Sequence, residues 1–206
     1  IKIYPEEIKK IKQNSDYSSS GSCVLINNLC GWFVTNYHVI DGAKRITVEI
    51  NNKEHEVEIV KEDEVNDLAI IQIKDLTKVD LPKPFKINTN IEHGMNIKTL
   101  GYPILSVMGK DIKVTAGIIS GLSFLKKATM FQIDAAITNG NSGGAVINDE
   151  MELIGITAAG YRPDANTENV NGAIKSNVIK MLLETINYTC DKTPYSYIKN
   201  DQEAKQ

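Results

Sequence analysis

The stretch RITVEINNKEHEVEIVKEDEVNDLAIIQI, residues 45–73, decides the fold class. It holds three short runs rich in β-branched residues: RITVEI (45–50), HEVEIV (55–60) and DLAIIQI (67–73). Turn residues such as Asn51-Asn52 separate them, and no link is long enough for a crossover helix. The same habit extends outward. Upstream lie CVLI (23–26) and GWFVT (31–35), parted by Asn27-Asn28 and followed by Asp41-Gly42. Downstream lie NIKTLGY (96–102), IKVTAGIISGL (112–122), MFQIDA (130–135), GAVI (144–147) and LIGITAA (153–159). Many short strands with short links make the chain all-β, an antiparallel sandwich or barrels.

Pro82 and Pro84 interrupt the β runs in segment 75–95, which reads as a linker between lobes near 20–80 and 96–170. Before the first lobe, residues 1–19 carry Ile3, Ile8 and Ile11 near helical spacing around Pro5, and predict a short helix. A C-terminal helix is predicted over 174–187, with Ile174, Val178, Met181, Leu182 and Ile186 on its apolar face. The main domain is thus 20–188, and residues 189–206 form a polar tail.

Net charge is −3 with both signs interspersed, so no basic stripe points to nucleic acid. No apolar run approaches a membrane span within this segment. The three cysteines, Cys23, Cys30 and Cys190, match no metal-site spacing. They read as reduced and partly buried, which leans toward the cytoplasm, with the bacterial cell envelope as the alternative. A Cys23–Cys30 cross-link is open if a hairpin lies between them.

GNSGG, residues 140–144, is the most informative segment for chemistry. A serine attacking an acyl carbon needs its Oγ on a tight turn, with backbone N–H groups aimed at the developing oxyanion. Flanking glycines permit that turn and let substrate approach the backbone. The bland readings are a Gly-rich hairpin turn or a phosphate loop, but a phosphate loop opens a helix, whereas an apolar strand follows here.

A serine nucleophile requires a base, and the base an orienting acid. Of the three histidines, His93 lies in a polar turn and His55 on the polar face of an alternating strand. His38 follows GWFVT and precedes Val39-Ile40, a rigid setting for a base, although a lone histidine there also suits a satisfied core role. Asp67, opening DLAIIQI, is the preferred acid over Asp63, which lies with Glu64 in a charged stretch that reads as a solvated turn. His38, Asp67, Ser142 is the chymotrypsin chain order.

Across about residues 20–187 the chain resembles the HtrA (Deg) branch of the trypsin/chymotrypsin-like serine proteases. The blocks that carry the likeness are GWFVTNYHVI, VNDLAIIQI, GYP (101–103), VTAGIISGL (114–122), FQIDAAITNGNSGGAVI, LIGI (153–156) and GAIKSNVIKMLL. The resemblance implies two perpendicular six-stranded barrels with the triad in the cleft between them. It also implies an oxyanion hole from the N–H groups of Gly140 and Ser142, with Asn141 shaping the loop. It lines the pocket for the residue before the scissile bond (P1) with Ala136, Ile137, Thr157, Ala158, Ala159 and Gly160. No acidic residue falls at the pocket base, so an apolar P1 is expected, while Asp164 in the next loop offers a route to a basic one.

The implied activity is serine endopeptidase cleavage of extended protein or peptide substrates, without metal or cofactor. A catalytically silent peptide-binding module and an esterase are the rival readings. A homotrimer through residues 1–17 and an attached regulatory domain are the implied partners, although no PDZ sequence follows Tyr188. Digestive relatives bridge the cysteine fifteen residues before the base to one directly after it. Here Val39 replaces the second cysteine. Those relatives also pair a freed N-terminal Ile with an Asp before the nucleophile. Asn141 stands there, so no such activation switch through Ile1 is expected.

Overall fold

The structure is a computed structural model that describes residues 2–4, 19–102, 112–138, 140–160 and 170–186. The first lobe is a seven-stranded antiparallel sheet in the order β2-β1-β5-β6-β7-β4-β3. Its strands are β1 (Lys2–Tyr4), β2 (Ser19–Ser20), β3 (Val24–Asn27), β4 (Trp32–Thr35), β5 (Arg45–Ile50), β6 (Lys53–Asp63) and β7 (Leu68–Ile73). A single helical turn, α1 (Tyr37–Ile40), follows β4. The second lobe is a closed six-stranded barrel in the order β10-β13-β12-β11-β8-β9. It comprises β8 (Asn96–Gly101), β9 (Lys113–Gly121), β10 (Met130–Ile133), β11 (Ala145–Ile147), β12 (Leu153–Gly160) and β13 (Asn171–Lys175). Helix α2 (Ser176–Glu184) then closes the described chain. All ten β runs anticipated from the sequence are strands, in the two-lobed chymotrypsin-like arrangement.

Turn chemistry sets the registers. Asn51 and Asn52 both take positive φ (52° and 62°), the two-residue turn whose twist suits a hairpin, and it joins Ile50 opposite Lys53. The Asn27 side-chain oxygen accepts the N–H groups of Leu29 and Cys30, each at 3.0 Å, and so holds the β3–β4 turn.

Strands β4 and β7 read as almost unbroken apolar runs because both of their faces are buried. Phe33, Ala69, Ile71 and Ile73 face the core of the first lobe with Val48 and Val57. Trp32, Val34, Leu68 and Ile70 face the other way and share one apolar cluster with Ile147, Leu153 and Ile156 of the barrel and Val178, Ile179, Leu182 and Leu183 of α2. Each fully buried Ile or Leu contributes about 1.5–3 kcal/mol by removing its apolar surface from water. The linker is pinned as well. Lys86 carbonyl accepts the Leu153 N–H at 2.8 Å, and the Asn88 N–H donates to Leu153 at 2.9 Å.

Both expected helices need correction. Residues 2–4 are a strand paired to β2 and β5, not a helix, because Ile3 meets an open sheet edge at Ile46. Ile8, Ile11 and the rest of segment 5–18 lie outside the described residues. Ile174 belongs to β13, where pairing with Met130 and Ile156 closes the barrel. The helix starts only at Ser176. It buries Val178, Ile179, Leu182 and Leu183, whereas Met181 is exposed. Among the described residues no helix is long and apolar enough to cross a membrane.

Candidate active site

The β4–β7 register brings together His38 and Asp67, 29 positions apart. Thr35 pairs with Ala69, so the chain leaving β4 runs beside the chain entering β7. Asn36 strengthens this crossing, its side-chain amide donating to the Asp67 carbonyl at 3.0 Å. The next residues form α1, which is anchored by buried Val39 and Ile40 and turns His38 outward.

Asp67 reaches its place through the turn before β7. Asp63 accepts the Asn66 N–H at 3.0 Å and the Asn66 amide at 2.7 Å. Asp67 itself has φ 56°, the left-handed region that Asp tolerates better than most residues. Its carboxylate accepts the His38 N–H at 2.9 Å and meets Nδ1 of the ring at 3.0 and 2.8 Å. A carboxylate accepts and does not donate, so Nδ1 carries a hydrogen, and in the neutral ring the lone pair is then on Nε2. Among the described residues Nε2 has no hydrogen-bond partner. Asp63, expected to be merely solvated, instead shapes the turn that presents Asp67.

Loop 140–144, which carries Ser142, is held by its backbone. Asn141 N–H donates to Thr138 at 3.1 Å and Gly143 N–H to Thr157 at 2.9 Å. Gly144 N–H is shared between the Asn141 carbonyl at 2.9 Å and the Thr157 hydroxyl at 3.0 Å. The N–H groups of Gly140 and Ser142 donate to no acceptor among the described residues. Among the described residues, three amides are spent on the loop and two are spare. Gly143, at φ 85°, must be glycine, since a Cβ would stand 2.1 Å from the Ser22 carbonyl and 2.5 Å from Thr35 Oγ1.

The two halves of the site adjoin. A Cβ built on Gly21 would lie 2.6 Å from the Val39 side chain and 3.2 Å from the Ser142 carbonyl. The residue after His38 and the residue expected to be the nucleophile therefore flank one glycine. The Ser142 hydroxyl donates to the Ala158 carbonyl at 3.1 Å. Beyond Ile156, β12 keeps β13 on one side (Thr157 opposite Ala173), whereas β11 pairs with β12 only through Ile156. The other edge of Ala158, Ala159 and Gly160 is thus unpaired by any described strand, and the serine stands on it.

Of the residues expected to line a P1 pocket, Ala136 is exposed and Ile137 and Ala158 are buried. Thr157 is fully buried and turns its hydroxyl to the nucleophile loop, donating to the Asn141 carbonyl while accepting from Gly144. Its hydroxyl thus braces the loop that carries Ser142. Asn141 is buried too, with its side chain against Gly101. Asp164 lies outside the described residues. His93 is exposed in a turn, and His55 sits in β6 opposite Val48. Ser22, not singled out from the sequence, also contacts the loop. No local pattern signals it, because Gly140, which it meets, lies 118 positions away.

Residues 21–156 match the trypsin-like peptidase domain family. The chain belongs to this trypsin-like family and is HtrA/Deg-like within it. It is 33% identical over 199 residues to the periplasmic serine endoprotease DegP of Salmonella typhimurium, covering 92% of this chain and 39% of that protein. It is 31% identical over 198 residues to the periplasmic pH-dependent serine endoprotease DegQ of Escherichia coli, covering 88% and 42%. It superposes with a TM-score of 0.69 on the crystal structure of the serine endoprotease from Yersinia pestis. That match has 29% identity and covers 90% of this chain and 61% of the other. The chain thus spans about two fifths of the length of these curated HtrA relatives.

The cysteine reading is corrected. Cys30 is disulfide-bonded and Cys23 carries a free thiol, which excludes both a fully reduced set and a Cys23–Cys30 bridge. Burial pushes the Cys23 thiol up to about 11. The lean toward the cytoplasm rested on missing disulfides and has no support, given this bond and relatives named as periplasmic.

Proposed function

We propose that this HtrA/Deg domain is a serine endopeptidase that cleaves extended protein segments through an acyl-enzyme. The observation that carries the reading is the His38–Asp67 pair at 2.8 Å, set one glycine away from a loop in which the Gly140 and Ser142 N–H groups meet no acceptor among the described residues. Nε2 takes the Ser142 proton as Oγ attacks the scissile carbonyl, and Asp67 stabilises the resulting imidazolium. The oxyanion forms against the N–H groups of Gly140 and Ser142. The imidazolium then protonates the leaving amine, and water enters by the same route in reverse.

Substrate adds as a strand along the unpaired edge of Ala158, Ala159 and Gly160, in the manner of β-augmentation. Alternate side chains then point into the site, and the apolar surroundings of Ile137 and Ala158 favour an apolar P1 over Lys or Arg. The work takes place in the bacterial cell envelope, in keeping with the disulfide at Cys30 and the periplasmic relatives.

Labelling by a fluorophosphonate tests the reading. Wild-type protein is expected to label at Ser142 and cleave an unfolded protein, and Ser142→Ala to do neither while keeping its unfolding midpoint. Equal cleavage by both proteins would refute it, and ester turnover without peptide turnover would favour the esterase.

A further inference from the structure

We propose that Ser22 is a positioning residue that sets the oxyanion-binding amides, an inference that rests on the peptidase reading above. Ser22 is a polar residue only 3% exposed, at the crossing of both lobes. Its Oγ donates to the Gly140 carbonyl at 2.9 Å and accepts the Tyr102 N–H at 2.9 Å. Its own N–H donates to the Ser142 carbonyl at 2.8 Å, and its carbonyl accepts the Thr35 hydroxyl at 2.8 Å. One residue therefore bonds to both ends of the nucleophile turn, to the end of β8, and to the strand that leads into His38.

Consecutive peptide planes explain the consequence. The plane joining Gly140 to Asn141 is clamped at its oxygen by Ser22 Oγ and at its nitrogen by Thr138. The plane joining Ser142 to Gly143 is clamped at its oxygen by the Ser22 N–H and at its nitrogen by Thr157. Between them lies the plane that carries the Ser142 N–H, one of the two unspent donors. Its own oxygen, the Asn141 carbonyl, is held by the Gly144 N–H and the Thr157 hydroxyl, and the Ser22 bonds fix the planes on either side, so that together they set the direction of the Ser142 N–H. Gly140, at φ 94°, has no side chain to restrain it, so its carbonyl is the weakest of these anchors without the Ser22 hydroxyl. Losing that hydroxyl also leaves a carbonyl and an amide at this crossing without their partner. Ser22 touches neither substrate nor the reacting atoms. It acts through Gly140 and Ser142.

The test compares wild-type, Ser22→Ala and Ser22→Cys proteins for kcat and KM on one peptide. It also measures inhibition by the aldehyde of that peptide, whose adduct presents an oxyanion. Removing an oxyanion donor outright costs about 10²–10³ in kcat, so loss of its support is expected to cost about 10- to 100-fold. Aldehyde affinity should fall by the same factor while KM stays within about twofold, as expected for an interaction made only in the transition state. Ser22→Cys keeps a donor at this place, weaker and somewhat larger, gives an intermediate loss, and is read alone should Ser22→Ala not fold. Unchanged kcat in a folded variant would overturn the proposal, as would kcat, KM and unfolding midpoint moving together without a selective loss of aldehyde affinity. A wild-type protein inert to peptide and fluorophosphonate would instead sink the peptidase reading, and this inference with it.

Discussion

Ser142 donates its hydroxyl to the carbonyl of Ala158 at 3.1 Å, and that carbonyl lies on the sheet edge left open beyond Ile156. In the proposed strand addition this carbonyl is the acceptor assigned to the N–H of the P1 residue. Docking and release of the nucleophile are then one exchange, in which the incoming amide displaces the serine and frees it for His38. A peptide N-methylated at P1 lacks the displacing hydrogen. One hydrogen bond contributes about 0.5–1.5 kcal/mol, so kcat/KM is expected to fall about 3- to 10-fold against the unmethylated peptide. Equal kcat/KM for the two peptides would rule the exchange out.

Asp67→Asn is expected to lower kcat by about 10⁴-fold, because an amide can hold the wrong imidazole tautomer. His38 and Asp67 are 48% and 30% exposed at the side chain, so the thermal midpoint should barely move. A fall in stability matching the fall in rate would mean that the pair is structural.

Thr157→Val removes a hydroxyl with three partners in a fully buried place. Orphaning the groups it serves is expected to cost about 1–3 kcal/mol in denaturant unfolding, with kcat falling as the loop loosens. Thr157→Ser should restore both. Wild-type behaviour of the valine variant would show the brace to be idle.

Thiol counting checks the cysteines. Unreduced protein in denaturant should titrate one thiol and reduced protein three, because Cys30 is bonded and Cys23 free. Native Cys23, held by burial at about 11, should react slowly at pH 8. Prompt native labelling would contradict its burial.

Acid should loosen the linker. Glu152 accepts the Asn88 amide at 2.5 Å and the Asn148 amide at 3.1 Å, and pairs with Lys86 at 3.1 Å. These contacts, the Asn88 bond foremost, hold its carboxyl below the usual 4.5. A carboxyl depressed on folding stabilises above its unfolded value, and that contribution is lost as pH falls through the folded one. Stability is therefore expected to drop below about pH 4.5, and Glu152→Gln should flatten that part of the profile. Identical acid profiles would remove Glu152 from the account.

The parts legible in the sequence are those written in local pattern. Leu68 to Ile73 reads as a strand because both faces are apolar, and GNSGG reads as a serine turn because glycines concentrate there. The acid could be chosen over Asp63, yet its φ of 56° was not foreseeable, since Asp tolerates both backbone regions. Ile174 illustrates a wrong period. Its spacing fits the following helix, but strand pairing on two sides outweighs helix propensity. Thr157 and Ser22 were illegible as braces because their partners lie 13 to 118 positions away. A hydroxyl whose acceptor is a distant backbone carbonyl leaves no periodic trace.

Strands β4 and β7 show one face to the core of their own lobe and the other to the barrel and α2. Neither lobe can be trimmed away without stripping the oily side from the strands that deliver His38 and Asp67. The seam between the lobes thus works as a spacing gauge, and the placement of His38 and Asp67 is set by apolar side chains on both sides of those strands.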